Sequence, residues 1–244
     1  MRPSTPYRTL YALALALLTA CSTAPQPPSA ALLPPTPATA QAAAAYDAGM
    51  DVFHPVVAKN GMVATEQALA TRIGLEVLQS GGNAVDAAVA VGFALAVALP
   101  NAGNIGGGGF MLVHEAASGQ SVALDFRETA PASAQRSMYL DAQGQVIDGK
   151  SLYTHHAVGV PGTVAGLTHA LQQWGTLPLA HVLQPAIDLA EQGYPVSTTL
   201  AQALERAQTT MGRWPATQAI FWKNGAPLRA GERLVQKDLA HSLR

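Results

Sequence analysis

Few side chains in this sequence combine a reactive type with a suggestive setting, and one arginine leads them. From Val122 to Arg127 the residues alternate, with Val122, Leu124 and Phe126 on one face of an extended segment and Ala123, Asp125 and Arg127 on the other. A guanidinium at the end of such a strand presents a planar fork of donors that matches a carboxylate. The alternative is a structural pair with Asp125 or Glu128, and periodicity leaves the two roles level. A second feature is the run Gly106 to Gly109, placed just before Phe110. Consecutive glycines permit close backbone approaches that other residues forbid. A phosphate cradle would need a following Lys-Ser/Thr and a helix N-terminus. Neither follows, so the run reads as a tight structural passage.

Other chemistries lack support. The seven histidines include the adjacent pair His155-His156 but no pair at helical metal-ligand spacing, so no metal is expected. A loop pair of this kind faces solvent or supports a neighbour. The single cysteine excludes an internal disulfide framework and any zinc site built on a cysteine cluster. No G-x-S-x-G elbow occurs, and Thr198-Thr199 and Thr209-Thr210 lie in or beside helical stretches, poor settings for a nucleophile. No catalytic residue is assigned within the chain, and no cofactor is expected.

The elements that must position Arg127 can be read from periodicity and punctuation. Gly61 to Thr65 reads as a short strand, with Thr65 capping a helix from Glu66 to Ser80 on whose face Leu69, Ile73 and Val77 recur. Gly81-Gly82 ends that helix. Asn83 caps a second, with Asp86 at its third position near the positive helix end. Ala84 to Leu99 is apolar all round apart from Asp86, which predicts a helix buried in the core, stopped by Pro100. Phe110 to Glu115 and Ser121 to Glu128 are expected to form a hairpin about residues 116–119. A loop spans Ser151 to Gly162. Thr163 is expected to cap a helix to Trp174, closed by Gly175. Pro178 opens a further helix that ends at Gly193, interrupted or kinked at Pro185. Ser197 caps another through about Ala207. Ile220 to Lys223 reads as a strand before an Asn224-Gly225 turn, and Asp238 to Arg244 as the first turns of a helix.

The N-terminal part is of another kind. Arg2 and Arg8 precede nine apolar residues, Leu10 to Leu18, the layout of an export signal and too short to span a bilayer. Leu18-Thr19-Ala20-Cys21 resembles a bacterial lipobox, which makes Cys21 the candidate lipidation site; ordinary signal cleavage nearby is the alternative. From Ser22 to Tyr46 there is no charge, and six of the 17 prolines fall between residues 25 and 37. That composition describes an extended tether. The expected organisation is therefore signal over 1–21, tether over 22–46 and folded region over 47–244, with export to the periplasm and a lipid anchor as the route to the membrane. The whole chain of 244 residues has 14 Lys+Arg against 15 Asp+Glu, a formal net charge of −1 without a basic block, which argues against a nucleic-acid partner.

Six colinear segments carry a family resemblance: GGNAVDAAVA at 81–90, NIGGGGFM at 104–111, ALDFRETAP at 123–131, VGVPGTVAGL at 158–167, LPLAHVLQPAIDLAEQGYPV at 177–196 and IFWKNG at 220–225. Together they resemble the γ-glutamyltranspeptidase (glutathione hydrolase) family, from about Asp51 to the last residue. The resemblance implies an α+β fold, the αββα sandwich of N-terminal-nucleophile hydrolases, here helix-rich and incomplete. It further implies a proenzyme that cuts itself into large and small subunits, the small subunit being the partner and its first threonine the nucleophile. By the same resemblance Arg127 binds the α-carboxylate of a γ-glutamyl substrate such as glutathione, and water or an amino acid or dipeptide accepts the glutamyl group. The nucleophile lies downstream of the matched blocks, so the chain reads as the front part of a large subunit, inactive alone. Related activities of the same fold, cephalosporin acylase or poly-γ-glutamate hydrolase, are the alternatives, together with a non-catalytic tethered lipoprotein.

Overall fold

The computed structural model describes residues 56–244. Cys21, the export signal, the tether and the first residues of the expected folded region lie outside the described residues. Two helices form the start of the core, α1 (Ala68–Gln79) and α2 (Ala84–Ala98). Helix α2 buries most of its surface, including Val85, Val89, Phe93, Ala94 and Val97, in keeping with its uninterrupted apolar sequence, while one stripe through Ala84, Ala88, Val91 and Leu95 is exposed or half-buried. Its many alanines leave room for neighbours to pack closely, and α1, α4 (Thr163–Trp174) and α5 (Leu179–Gln192) all pack against it. Burying each of Val89, Phe93 and Val97 contributes about 1.5–3 kcal/mol.

Both ends of α2 are held by side chains. At the N-terminus Asn83 Oδ1 accepts from the backbone N–H groups of Val85 and Asp86, while Asp86 Oδ2 accepts from Asn83 N at 2.8 Å, completing a reciprocal capping box. Asp86 also reaches across to the link between α4 and α5. Its Oδ1 accepts from Thr176 N and Leu177 N at 2.8 and 3.0 Å, and its Oδ2 from the Thr176 hydroxyl at 2.6 Å. Asn83 Nδ2 donates to the Trp174 carbonyl near the end of α4. At the other end, the Val97 carbonyl is one of the four that a helix terminus leaves unpaired. It accepts from the Tyr194 hydroxyl at 2.7 Å and from Gln236 Nε2 at 2.9 Å. Burial pushes the Tyr194 phenol well above its ordinary range, so it stays a donor.

The hairpin consists of β1 (Phe110–Glu115) and β2 (Gln120–Asp125), antiparallel, with Phe110 opposite Asp125 and Glu115 opposite Gln120. Gly119 takes a φ of +70° in its turn. Met111, Val113 and Leu124 face the helices, while Phe110 and Leu112 on the other face are 65% and 83% exposed. The remaining elements are α3 (Lys150–Tyr153), a 3-10 turn (His155–Ala157), β3 (Tyr194–Pro195), α6 (Thr198–Arg206), α7 (Pro215–Phe221), β4 (Trp222–Lys223), β5 (Ala226–Pro227), β6 (Arg233–Leu234) and α8 (Lys237–Leu243). Strand β3 pairs with β6, and β4 with β5 across Asn224-Gly225, both at positive φ.

The structure corrects several sequence-based expectations. Residues 61–65 form no strand, and α1 is capped by the Gln67 side chain, because the Thr65 hydroxyl is engaged with Gln67 and Thr71 instead. Helix α4 is preceded by Gly162 rather than capped by the Thr163 hydroxyl. Helix α5 continues through Pro185 unbroken; Val182, Ala186, Ile187 and Ala190 bury its inner face and offset the missing hydrogen bond. Ile220 and Phe221 belong to α7, and only Trp222-Lys223 is extended. The loop over 151–162 contains α3 and the 3-10 turn.

Burial alone would raise the Asp86 pKa, but donors from Thr176, Leu177 and Asn83 outweigh it and hold the carboxylate below its usual range. A depressed folded pKa stabilises the protein above the unfolded value of about 3.9, and that contribution is lost as pH falls through the lower folded value. Asp86→Asn should therefore lower stability by about 3 kcal/mol at neutral pH, since an amide cannot accept from all these donors. Urea denaturation is expected to show the difference from wild type at pH 7 and its narrowing at pH values below about 4.

Candidate functional site

Strand β2 ends three residues earlier than alternation predicts. Its last residue is Asp125, and Asp125 Oδ1 accepts from Arg127 N at 3.0 Å, a local side-chain bond at the point where the chain leaves the strand. Asp125 thus serves the backbone of Arg127, and the two side chains do not share a strand face as expected. Phe126 still exchanges backbone hydrogen bonds with Gly109, N to O at 3.0 Å and in return at 3.3 Å. Beyond Glu128, Thr129 and Val160 exchange a second pair at 2.8 and 3.3 Å. The segment 126–129 is therefore anchored on both sides, with Arg127 between the anchors.

The Arg127 side chain is 70% exposed, and its Nε lies 3.7 Å from Glu128 Oε2. So long and solvated a contact is weak. The guanidinium borders a cleft of about 360 Å³ lined by Glu128, Met138, Tyr139, His156 and Gly159 among others. Tyr139 donates its hydroxyl to the His156 carbonyl at 3.0 Å, joining the two walls of the cleft. Of the histidine pair, His156 is brought to the cleft. Tyr139 and Met138 escape sequence reasoning because they sit in an aperiodic stretch and reach the cleft only through tertiary folding. A larger cleft, of about 530 Å³, lies between α1 and α5 and borders Arg72, Glu76, His181 and Asp188, but none of the sequence-predicted site residues line it. Among the described residues no three His, Cys, Asp or Glu side chains converge as metal ligands would.

The glycine run acts as a passage. The Gly107 carbonyl accepts from Gly162 N at 2.8 Å and Thr163 N at 3.0 Å, so it occupies the first amides of α4. The run thereby takes two of the donors at the start of α4 as a structural contact, in agreement with the sequence-based reading of a passage.

A family model described as Gamma-glutamyltranspeptidase matches residues 70–244. The chain belongs to the γ-glutamyltranspeptidase family. It is 52% identical over 216 residues to the glutathione hydrolase proenzyme of Escherichia coli (strain K12), covering 88% of this chain and 36% of that protein. Its backbone is similar to the crystal structure of Helicobacter pylori gamma-glutamyltranspeptidase, with a TM-score of 0.75, 46% identity and coverage of 78% of this chain and 54% of that one. It is also similar to a cephalosporin acylase from Bacillus halodurans, with a TM-score of 0.71, 36% identity and coverage of 81% and 38%. The chain thus spans about a third of the length of the E. coli relative. It forms a helix-rich, incomplete α+β portion of the γ-glutamyltranspeptidase fold, as the resemblance implied.

An arginine this exposed and this loosely paired does little for the fold. Arg127→Ala should change unfolding free energy by no more than about 0.5 kcal/mol, read from the urea midpoint at unchanged slope. A loss above about 2 kcal/mol would instead assign Arg127 to a structural pair.

Proposed function

We propose that this chain supplies the carboxylate-binding part of an exported γ-glutamyl hydrolase and transpeptidase acting on glutathione and other γ-glutamyl compounds. One observation carries the reading: Arg127 stands at the edge of a cleft with its guanidinium in solvent, while the backbone on either side of it is hydrogen-bonded into place. A substrate α-carboxylate would displace the long Glu128 contact and take two parallel N–H···O bonds from the planar fork. In this reading the nucleophile is a threonine downstream of the matched segments, freed when the proenzyme cuts itself. Its hydroxyl attacks the γ-carbonyl and passes its proton to the threonine's own α-amine, which delivers it to the departing amine. Water then releases glutamate, or the amine of an amino acid or dipeptide takes up the glutamyl group.

The partner is the small subunit that bears this threonine, and the exposed outer face of the hairpin, with Phe110 and Leu112, suits apolar sheet packing against it. A cephalosporin acylase activity is the weaker reading. Identity to the glutathione hydrolase proenzyme is higher than to the acylase, and Arg127 suits a substrate with a free α-carboxylate. Export and a lipid on Cys21 complete the proposal, since two acyl chains anchor a protein where one is marginal.

Two measurements test these points. In the full-length gene product Arg127→Ala should raise KM for a γ-glutamyl anilide by about a hundredfold, and Arg127→Lys should recover only part of it; an unchanged KM in Arg127→Ala would remove the carboxylate role. Cys21→Ala should move the protein from the membrane to the soluble fraction of fractionated cells, and equal partitioning of both forms would leave only ordinary export.

A further inference from the structure

Resting on the carboxylate-binding role of Arg127, the geometry points to a second set of residues for the same reaction: Gly108, Gly162 and Gly166 are positioning residues that set where the Arg127 guanidinium stands. The residue they grip is Phe126, its neighbour in the chain. A β-carbon added at Gly162 would lie 1.9 Å from the Phe126 carbonyl oxygen, 2.7 Å from its carbonyl carbon and 3.3 Å from the Arg127 carbonyl oxygen. One turn along α4, a β-carbon at Gly166 would lie 2.1 Å from Phe126 Cγ and 2.4 Å from its Cβ. On the opposing run, a β-carbon at Gly108 would lie 2.6 Å from the Phe126 carbonyl oxygen, 2.7 Å from Glu128 N and 2.8 Å from Arg127 Cα.

The contacts at Gly108 and Gly162 are with backbone, and those at Gly166 are with the Cβ and Cγ that root the Phe126 ring, which sets them apart from the other crowded glycines in helices. At Gly74 the nearest atoms are the methyl groups of Val91 and Val63, at 2.6 and 2.8 Å, and at Gly92 they are the Leu167 side chain. Side-chain tips can turn away; the backbone of 126–128 cannot move without carrying Arg127 with it. Gly162 has φ −113° and ψ −16° and Gly166 is helical, so neither glycine is required by its own backbone angles. What demands the absence of a side chain is the closeness of Phe126. The first turn of α4 and the glycine run are further joined through the Gly107 carbonyl, so the segment lies in a channel with two linked walls. A guanidinium that must meet a carboxylate through two parallel bonds tolerates little displacement, and a misplacement of about 1 Å can cost a hundredfold in rate.

The experiment compares Gly162→Ala and Gly166→Ala in the full-length enzyme with Gly74→Ala, which crowds the core without touching segment 126–128. Steady-state kinetics on a γ-glutamyl anilide are expected to show KM raised about tenfold or more in the first two with kcat within about threefold, and KM unchanged in Gly74→Ala. If neither α4 variant folds, Gly159→Ala takes their place. Its added carbon would lie 3.1 Å from Glu128 Cβ and 3.2 Å from the Thr129 carbonyl oxygen, close enough to shift the far end of the same segment. A KM rise of about twofold to threefold is then expected. Folded variants with wild-type KM, alongside an Arg127→Ala enzyme with raised KM, would overturn the positioning role and leave the role of Arg127 intact. Wild-type KM in Arg127→Ala as well would overturn the carboxylate reading on which both depend.

Discussion

A buried carboxylate organises the helical half of this molecule. Asp86 closes the capping box of α2 and simultaneously accepts two backbone amides and a hydroxyl from the α4–α5 link, some 90 residues further along the chain. Charge-assisted bonds of this kind are stronger than neutral ones, and in the interior their loss leaves several donors without partners. The consequence is geometric as well as energetic. With the start of α2 fixed against the end of α4, the first turn of α4 is fixed relative to the core, and that turn is the one that meets the Arg127 segment. A carboxylate with no place in the cleft thereby helps hold the segment that carries Arg127.

The candidate site is built by subtraction. Where helix, glycine run and strand end converge, side chains are missing, and the group admitted between them is Phe126. The charged group beside it is exposed, with its backbone bonded and its side chain only loosely paired with Glu128. That combination, an anchored backbone and an open charge, suits a recognition group: the backbone is already ordered when a ligand arrives, and no strong internal pair must first be broken.

Much of this was legible in the residues because the signals are local. The all-apolar stretch from Ala84, the Asn83 and Asp86 spacing, the Gly81-Gly82 stop and the Asn224-Gly225 turn each specify their element within a few residues, and each element stands where they indicate. Arg127 could be singled out because alternation marks a strand end and a guanidinium has a distinctive chemistry. What could not be read is what depends on distant partners. Thr65 has the right type for a cap, yet Gln67 does the capping once the Thr65 hydroxyl meets Thr71. Pro185 breaks helices by local rules, yet burial against α2 keeps α5 whole. Tyr139 and His156 approach each other only after 16 intervening residues have folded back, and no periodicity announces that. The polyglycine run could be assigned as a passage, but the group it admits was visible only in three dimensions.

The doubly occupied Val97 carbonyl has a bearing on how the chain comes to be folded as it is made. Its two donors are Tyr194 and Gln236, so the exit end of the most buried helix is not completed until a residue 139 positions later has emerged from the ribosome. The opposite end waits for Thr176 and Leu177. An intensely apolar helix is thus synthesised long before the groups that finish either terminus, and most of the described chain must be present before its core can close. For a protein of this composition the interval is one of exposure, in which an all-apolar segment and an unpaired hairpin are open to self-association or to chaperones.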